Sequence, residues 1–219
     1  MFLVFDLDGT LIDGYEGIAD ALAFAMERLG RPPIGIEQVR GMVGEGLERL
    51  IEKAIGAGLV SQGVKLFRER YAEIADEKTR LMPDVPALLK RLAAAGHAMS
   101  VASNKPADFS RQILASKGIA AYFTSVAGPG PGVPPKPHPE MLRRLMREAG
   151  AAPGGTVVVG DMEIDAEFAR AGGCHAVLVA GGSRSRTELA EVAADAHLSR
   201  LSELSDWVDR ITRRPPGSA

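Results

Sequence analysis

The stretch that most constrains this chain is Phe2-Leu-Val-Phe5, four residues with no polar side chain. Successive side chains of a strand face opposite ways, so a run apolar at every position reads as a strand buried on both faces. Such strands belong to parallel sheets covered by helices. Further strands are read at Ala98–Ala102, Tyr122–Ala127, Thr156–Val159 and Ala176–Ala180. Helical patterns fill the gaps: Asp84–Ala95, a helix from about Pro106, His138–Ala149 and Glu163–Ala171. Strands alternating with helices imply right-handed crossovers and an α/β fold. Two more helices are read at Thr187–Ala193 and Leu201–Ile211, before a frayed tail from Arg213.

Residues 15–80 break this alternation. Ile18, Leu22, Ala25, Met26 and Leu29 recur at helical spacing, and Gly30 with Pro32-Pro33 ends that helix. Helices follow at Ile36–Met42, Glu45–Ala57 and Val60–Glu77, and no strand is read among them, while Leu11–Gly14 reads as a turn. The first strand still has to pair with strands lying beyond this block. Residues 15–80 are therefore expected to form an all-α cap inserted into a core made of 1–14 and 81–219, placed over the end of the first strand.

Composition narrows the functional classes. The net charge of −2 provides no basic stripe, so no nucleic-acid partner is expected. The single cysteine, Cys174, excludes an intramolecular disulfide and a cysteine-built zinc site, and fits a reducing compartment. No stretch approaches the roughly 18 apolar residues of a membrane span, and no basic-then-apolar leader pattern opens the chain. A cytoplasmic protein with no membrane partner is expected, as monomer or homodimer.

Four polar clusters fall where strands end, which is where open α/β sheets bind ligands. Asp6 and Asp8 close the first strand and are followed by Gly9-Thr10; two carboxylates two residues apart would crowd one volume, though Asp-Gly-Thr is also ordinary turn chemistry. Ser103-Asn104-Lys105-Pro106 stands at a strand end and helix start, where it could grip a phosphate or simply cap the helix. Lys136 sits in the proline frame Pro134-Pro-Lys-Pro-His-Pro139, and His138 suits the start of the next helix. Asp161 ends another strand with Asp165 one helical turn on; this oxygen-only set suits magnesium, and Glu163 is a possible further ligand. Together they supply a nucleophile, an acid/base, a metal site and a cationic clamp, the inventory of phosphoryl transfer.

Taken in order, Asp6-Leu-Asp8-Gly-Thr10, Ser103, Lys136 and Gly160-Asp161-Met-Glu-Ile-Asp165 resemble the four motifs of the haloacid dehalogenase superfamily over essentially the whole chain. The resemblance implies a Rossmann-like core with a helical cap. It implies Asp6 as nucleophile forming an aspartyl-phosphate, and Asp8 as acid and then base. Mg²⁺ would be held by Asp6, the Asp8 backbone carbonyl and Asp161, with Asp165 in support. Ser103 and Lys136 would bind the phosphoryl oxygens, with Thr10 and Asn104 beside them. Asp8 favours a phosphatase over a dehalogenase, which lacks that acid. Arg40-Gly-Met-Val-Gly-Glu-Gly-Leu47, Ser103-Asn-Lys-Pro106 and Lys136-Pro-His-Pro139 are similar to the phosphoglycolate phosphatases of the superfamily. That likeness implies a small phosphorylated metabolite as substrate, 2-phosphoglycolate first. Gly44 and Gly46 could then let the backbone approach the substrate, and Arg40 or Arg49 could meet its carboxylate, unless both arginines are merely solvated. Met162 departs from the small hydroxyl residue of many relatives, and the loop before Lys136 is unusually rich in proline and glycine. A phosphomutase of the β-phosphoglucomutase type shares these motifs; a non-catalytic phospho-acceptor domain would lack both the inserted cap and an acid placed like Asp8.

Overall fold

The computed structural model describes residues 1–213; residues 214–219, most of the expected frayed tail, lie outside them. Six strands form one parallel sheet: β1 (Phe2–Phe5), β4 (Ala98–Ala102), β5 (Ser125–Ala127), β6 (Thr156–Gly160), β7 (His175–Val179) and β8 (Ala196–Leu198). Their spatial order is β5-β4-β1-β6-β7-β8, and every pairing is parallel. The first strand thus lies at the centre, with Phe2 opposite both Ala98 and Thr156.

The all-apolar pattern of β1 now has its reason. Leu3 and Phe5 join one core layer with Val101, Val157 and Val159, whereas Phe2 and Val4 join the other with Val158 and Leu178. Helices α5 (Val85–Ala94) and α6 (Ala107–Ser116) supply Leu89 and Ile113 to the first layer. Helices α7 (Glu140–Ala149) and α8 (Glu163–Ala171) supply Leu142 and Phe168 to the second. This is the α/β, Rossmann-like sheet with helices on both faces.

Between β1 and β4 come α1 (Tyr15–Arg28), α2 (Ile36–Met42), α3 (Leu47–Ile55) and α4 (Val60–Ile74). Helix α1 buries Ile18, Ala21, Leu22, Ala25 and Met26, the stripe that its spacing defines, and packs on α4. It stops in a Schellman turn: Gly30 takes φ +65°, and the Arg31 amide donates to the Met26 carbonyl at 2.8 Å. Ile51 of α3 and Phe67 of α4 belong to the same hydrophobic layer as Leu3 and Phe5, so the helical block is continuous with the core.

Three short strands depart from the sequence reading. Ile12–Asp13, read as a turn, form β2 and pair antiparallel with β3 (Arg80–Leu81), at the two points where the chain enters and leaves the helical block. The expected helix over Thr187–Ala193 is one turn, α9 (Arg186–Leu189), because the following segment turns into β8. Asp195 accepts the Ala176 amide at 2.8 Å and delivers the chain to the sheet edge. Tyr122 lies in a 3₁₀ turn, which shortens the expected strand to β5. Helix α10 (Leu204–Arg213) closes the described chain. No helix among the described residues is long and apolar enough to cross a membrane.

Candidate active site

The candidate site forms at the carboxyl ends of the central strands, beneath α1, α3 and α4. Past Phe5, the Asp6 amide still donates to the Val159 carbonyl at 2.8 Å. The chain then curls so that the amides of Thr10, Leu11 and Ile12 all turn back on the Leu7 carbonyl. Gly9 sits inside this curl at φ +85°, where a Cβ would lie 2.2 Å from Asp161 Oδ2, so only glycine lets the loop close on that carboxylate.

Asp6, Asp161 and Asp165 converge, each offering an oxygen within 4.8 Å of the others'. All three are buried. Burial, then the charges of Asp6 and Asp165, push the Asp161 carboxyl above its ordinary range. Burial raises Asp165 as well, against the pull of Lys136. Oxygen-only ligands crowded at one buried point with surplus negative charge are the donor set of a hard divalent cation. The carboxylates fit such an ion.

Lys136 reaches into this cluster from the loop before α7. Its ammonium donates to Asp6 Oδ1 at 2.6 Å and Asp165 Oδ1 at 2.7 Å. Burial opposes its charge, but the two carboxylates outweigh burial and hold its pKa above the ordinary lysine value. Asn104 fixes the loop: its Oδ1 accepts the Lys136 amide at 2.7 Å, and its Nδ2 donates to the carbonyls of Lys136 at 3.2 Å and Gly44 at 2.8 Å. The amide expected beside a phosphate is therefore spent joining the core, the Lys136 loop and the helical block. Ser103 is buried, lines the same chamber and accepts the Lys105 amide on its hydroxyl.

The structure also separates the two aspartates of the first motif by partner. Asp6 faces Lys136, whereas Asp8 Oδ2 lies 2.9 Å from Lys105, whose side chain is 7% exposed. Burial raises the Asp8 carboxyl, with Lys105 opposing. Lys105 went unassigned in the sequence reading although its tetrapeptide stood out. Tyr15 and Ser183 were missed entirely: their hydroxyls pair, and the Ser183 amide donates to Asp161 Oδ2. Thr10 is drawn to the same group, its hydroxyl donating to Asp161 Oδ1 at 3.3 Å, so it orients a candidate metal ligand.

Other candidates are placed elsewhere. Arg49, expected near a substrate carboxylate, is exposed and paired with Glu45 and Glu52. Arg40 lies over the Tyr15 ring at 4.2 Å. Glu163 is held by Arg184 at 2.8 Å, outside the carboxylate cluster, and His138 is exposed at the approach to α7, accepting the Glu140 amide. Gly44 and Gly46 do line the chamber, and the missing side chain at Gly44 makes room for Met162, whose methyl would lie 2.8 Å from a Cβ there. The chamber leaves about 60 Å³ for water-sized molecules, and Ile18, Val43, Leu47, Leu50, Phe67 and Phe109 make its far wall apolar.

Carboxylates and lysines gathered at the carboxyl ends of a parallel sheet, under helices inserted after its central strand, define an enzyme of the α/β class. The family model of the haloacid dehalogenase-like hydrolases matches residues 3–179, and the chain belongs to that family. A phosphoglycolate phosphatase of Yersinia pseudotuberculosis is 34% identical over 209 residues, covering 92% of this chain and 90% of its own length. One from Vibrio parahaemolyticus is 32% identical over 216 residues, covering 94% and 95%. A haloacid dehalogenase-like hydrolase from Streptococcus pneumoniae superposes with a TM-score of 0.87 at 23% identity, covering 94% of this chain and 97% of its own, a likeness of fold.

Proposed function

We propose that this phosphatase is Mg²⁺-dependent and hydrolyses a small phosphorylated metabolite, 2-phosphoglycolate first, to glycolate and phosphate through an aspartyl-phosphate on Asp6. The observation that carries the reading is the convergence of Asp6, Asp161 and Asp165 at the sheet's carboxyl edge, with the Lys136 ammonium on Asp6 and Asp165. In this reading residues 15–80 act as a cap on a core of 1–14 and 81–219, and select what enters.

Asp6 Oδ1 is occupied by Lys136, which leaves the other carboxylate oxygen to attack phosphorus. The bond from phosphorus to the ester oxygen breaks, and its electron pair leaves on that oxygen, which takes the proton of Asp8. Asp8 then accepts a proton from water as the water attacks phosphorus, and the bond from phosphorus to Asp6 breaks to release phosphate. Ser103 and the free donor of Lys136 hold the phosphoryl oxygens. Mg²⁺, carried by Asp6, Asp161 and the Asp8 backbone carbonyl with Asp165 in support, would neutralise charge on the transferring group. Thr10 and the Ser183 amide keep Asp161 oriented. A cytoplasmic location, as monomer or homodimer, accompanies this reading.

The mutase alternative needs several polar groups around a sugar ring, and beyond the residues of the mechanism the chamber is lined mainly by apolar side chains. The test is phosphate release from 2-phosphoglycolate with and without Mg²⁺, for wild type and Asp6→Asn. Release that depends on Mg²⁺ and falls by at least about a thousandfold in the variant is expected. Undiminished release from Asp6→Asn would remove the nucleophile, and isomerisation of a hexose 1-phosphate without free phosphate would favour the mutase.

A further inference from the structure

The far wall of the chamber carries one polar corner that the mechanism leaves unused. Two lysines line the chamber, and Lys136 has two carboxylates on its ammonium. Lys105 has one, Asp8, at 2.9 Å. An ammonium carries three donors, so two remain on Lys105. The side chain is held in place, lying 4.9 Å from the centroid of the Tyr71 ring. Tyr71 itself is 1% exposed and lines the chamber. Its hydroxyl is buried beside the Lys105 ammonium and the Thr79 hydroxyl, and like that of Thr79 it has no partner at full hydrogen-bond geometry. A buried hydroxyl left without a partner costs on the order of 1–3 kcal/mol, so a ligand that accepts from it gains that bond.

We propose that Lys105 and Tyr71 together recognise a second anionic group on the substrate, a carboxylate one or two carbons from the ester oxygen. This rests on the phosphatase reading above and deepens it, by naming what selects the substrate class. A cation beside a free hydroxyl donor matches a carboxylate, which accepts from both. The distance to the reaction is set by Asp8. A leaving oxygen hydrogen-bonded at about 2.7 Å to Asp8 Oδ2, the oxygen that lies 2.9 Å from the ammonium, is within about 5.6 Å of that ammonium. A carboxylate attached through one or two carbons bridges that gap with a bond of about 2.8 Å to Lys105. The apolar side chains of the chamber's lining disfavour hydroxyl-rich leaving groups. In the proposed mechanism Asp8 carries its proton when the ester binds, so the incoming carboxylate meets the Lys105 ammonium and no second charge on Asp8. The arginines at 40 and 49 take no part, since one lies over Tyr15 and the other is held by two glutamates.

The experiment compares kcat/KM for 2-phosphoglycolate and ethyl phosphate, which differ by a carboxylate against a methyl, in saturating Mg²⁺. Wild type should prefer the carboxylated ester by at least about tenfold. Lys105→Met should cut that preference by about ten- to a hundredfold, the range of a lost hydrogen bond to a charged group. Tyr71→Phe, which removes a single oxygen and keeps the ring, should cut it several-fold. The ratio is the readout because general damage to the fold lowers both substrates alike. Equal use of the two esters by wild type, or variants that lower both in proportion, would overturn the assignment of Lys105 and Tyr71 while leaving the phosphatase intact. Release of phosphate from neither ester would instead strike the phosphatase reading, and this inference with it.

Discussion

Replacing Lys136 by methionine tests the electrostatics of the site before any catalysis is measured. Methionine roughly keeps the volume and deletes the charge. It leaves Asp6 and Asp165, previously 2.6 and 2.7 Å from the ammonium, facing each other and Asp161 in a buried cluster. Removing one partner of a buried ion pair costs about 3–5 kcal/mol, because the remaining charge is left unpaired. At about 2.1 cal/mol/K per residue, 219 residues unfold with an entropy of about 0.46 kcal/mol/K, so the loss corresponds to about 7–11 °C in Tm. The assay is a thermal melt in chelator at neutral pH, followed by the same melt with Mg²⁺, which should restore part of the loss by supplying the missing positive charge. Adding Asp165→Asn to Lys136→Met should also recover stability, since the carboxylate that lost its partner is then neutral. A Tm within about 2 °C of wild type in chelator, with no recovery in the double variant, would refute the view that Lys136 is what makes this carboxylate cluster tolerable.

Two further outcomes are expected. Asn104→Ala strands the Gly44 carbonyl and the Lys136 amide, so it should cost about 2–4 kcal/mol in denaturant midpoint at constant m-value and lower phosphate release; an unchanged midpoint would mean that water replaces the amide. Stabilisation by Mg²⁺ should grow with pH. Asp161 and Asp165 are pushed up on folding, so the folded chain binds protons more tightly than the unfolded one, and metal-free stability from these groups falls as pH rises past the ordinary carboxylate range of about 4. Because the metal takes the ionised carboxylates, its Tm shift should be larger at about pH 8 than at about pH 5; equal shifts would contradict the raised carboxyls.

The sheet was legible because the all-apolar first run and the alternation after residue 81 each have one economical solution. The short strands were not. A strand of two residues, such as Ile12–Asp13, has no period to detect, and its partner at Arg80–Leu81 lies beyond the whole helical block. The same limit hid Ala196–Leu198, which is defined by its pairing with Val177–Val179. At the site, the carboxylates were legible because they stand at strand ends in recurring short patterns. Tyr15 and Ser183 carry no local signal, and their pairing spans 168 residues. Lys105 was visible yet unassigned, since an isolated lysine beside a helix start reads as solvated until the fold places Asp8 and Tyr71 against it.

That placement also explains how one short motif separates two carboxylates that leave the same strand end. Asp6 and Asp8 leave the same strand end, but the curl at Gly9 means that they no longer share a strand face. Asp6 stays in register with β6, through its amide on Val159, and so meets Lys136 and the carboxylates after β6. Asp8 turns toward the loop after β4 and the inserted helices, where Lys105 and Tyr71 wait. In the proposed mechanism one aspartate thereby belongs to the side of the metal and the phosphoryl group, and the other to the side of the leaving group. The division of labour proposed for them follows from which neighbouring strand each one faces. A change that returned both to one face, by extending β1 through Gly9, would leave the four acidic groups in one place and the chamber without an acid for the departing oxygen.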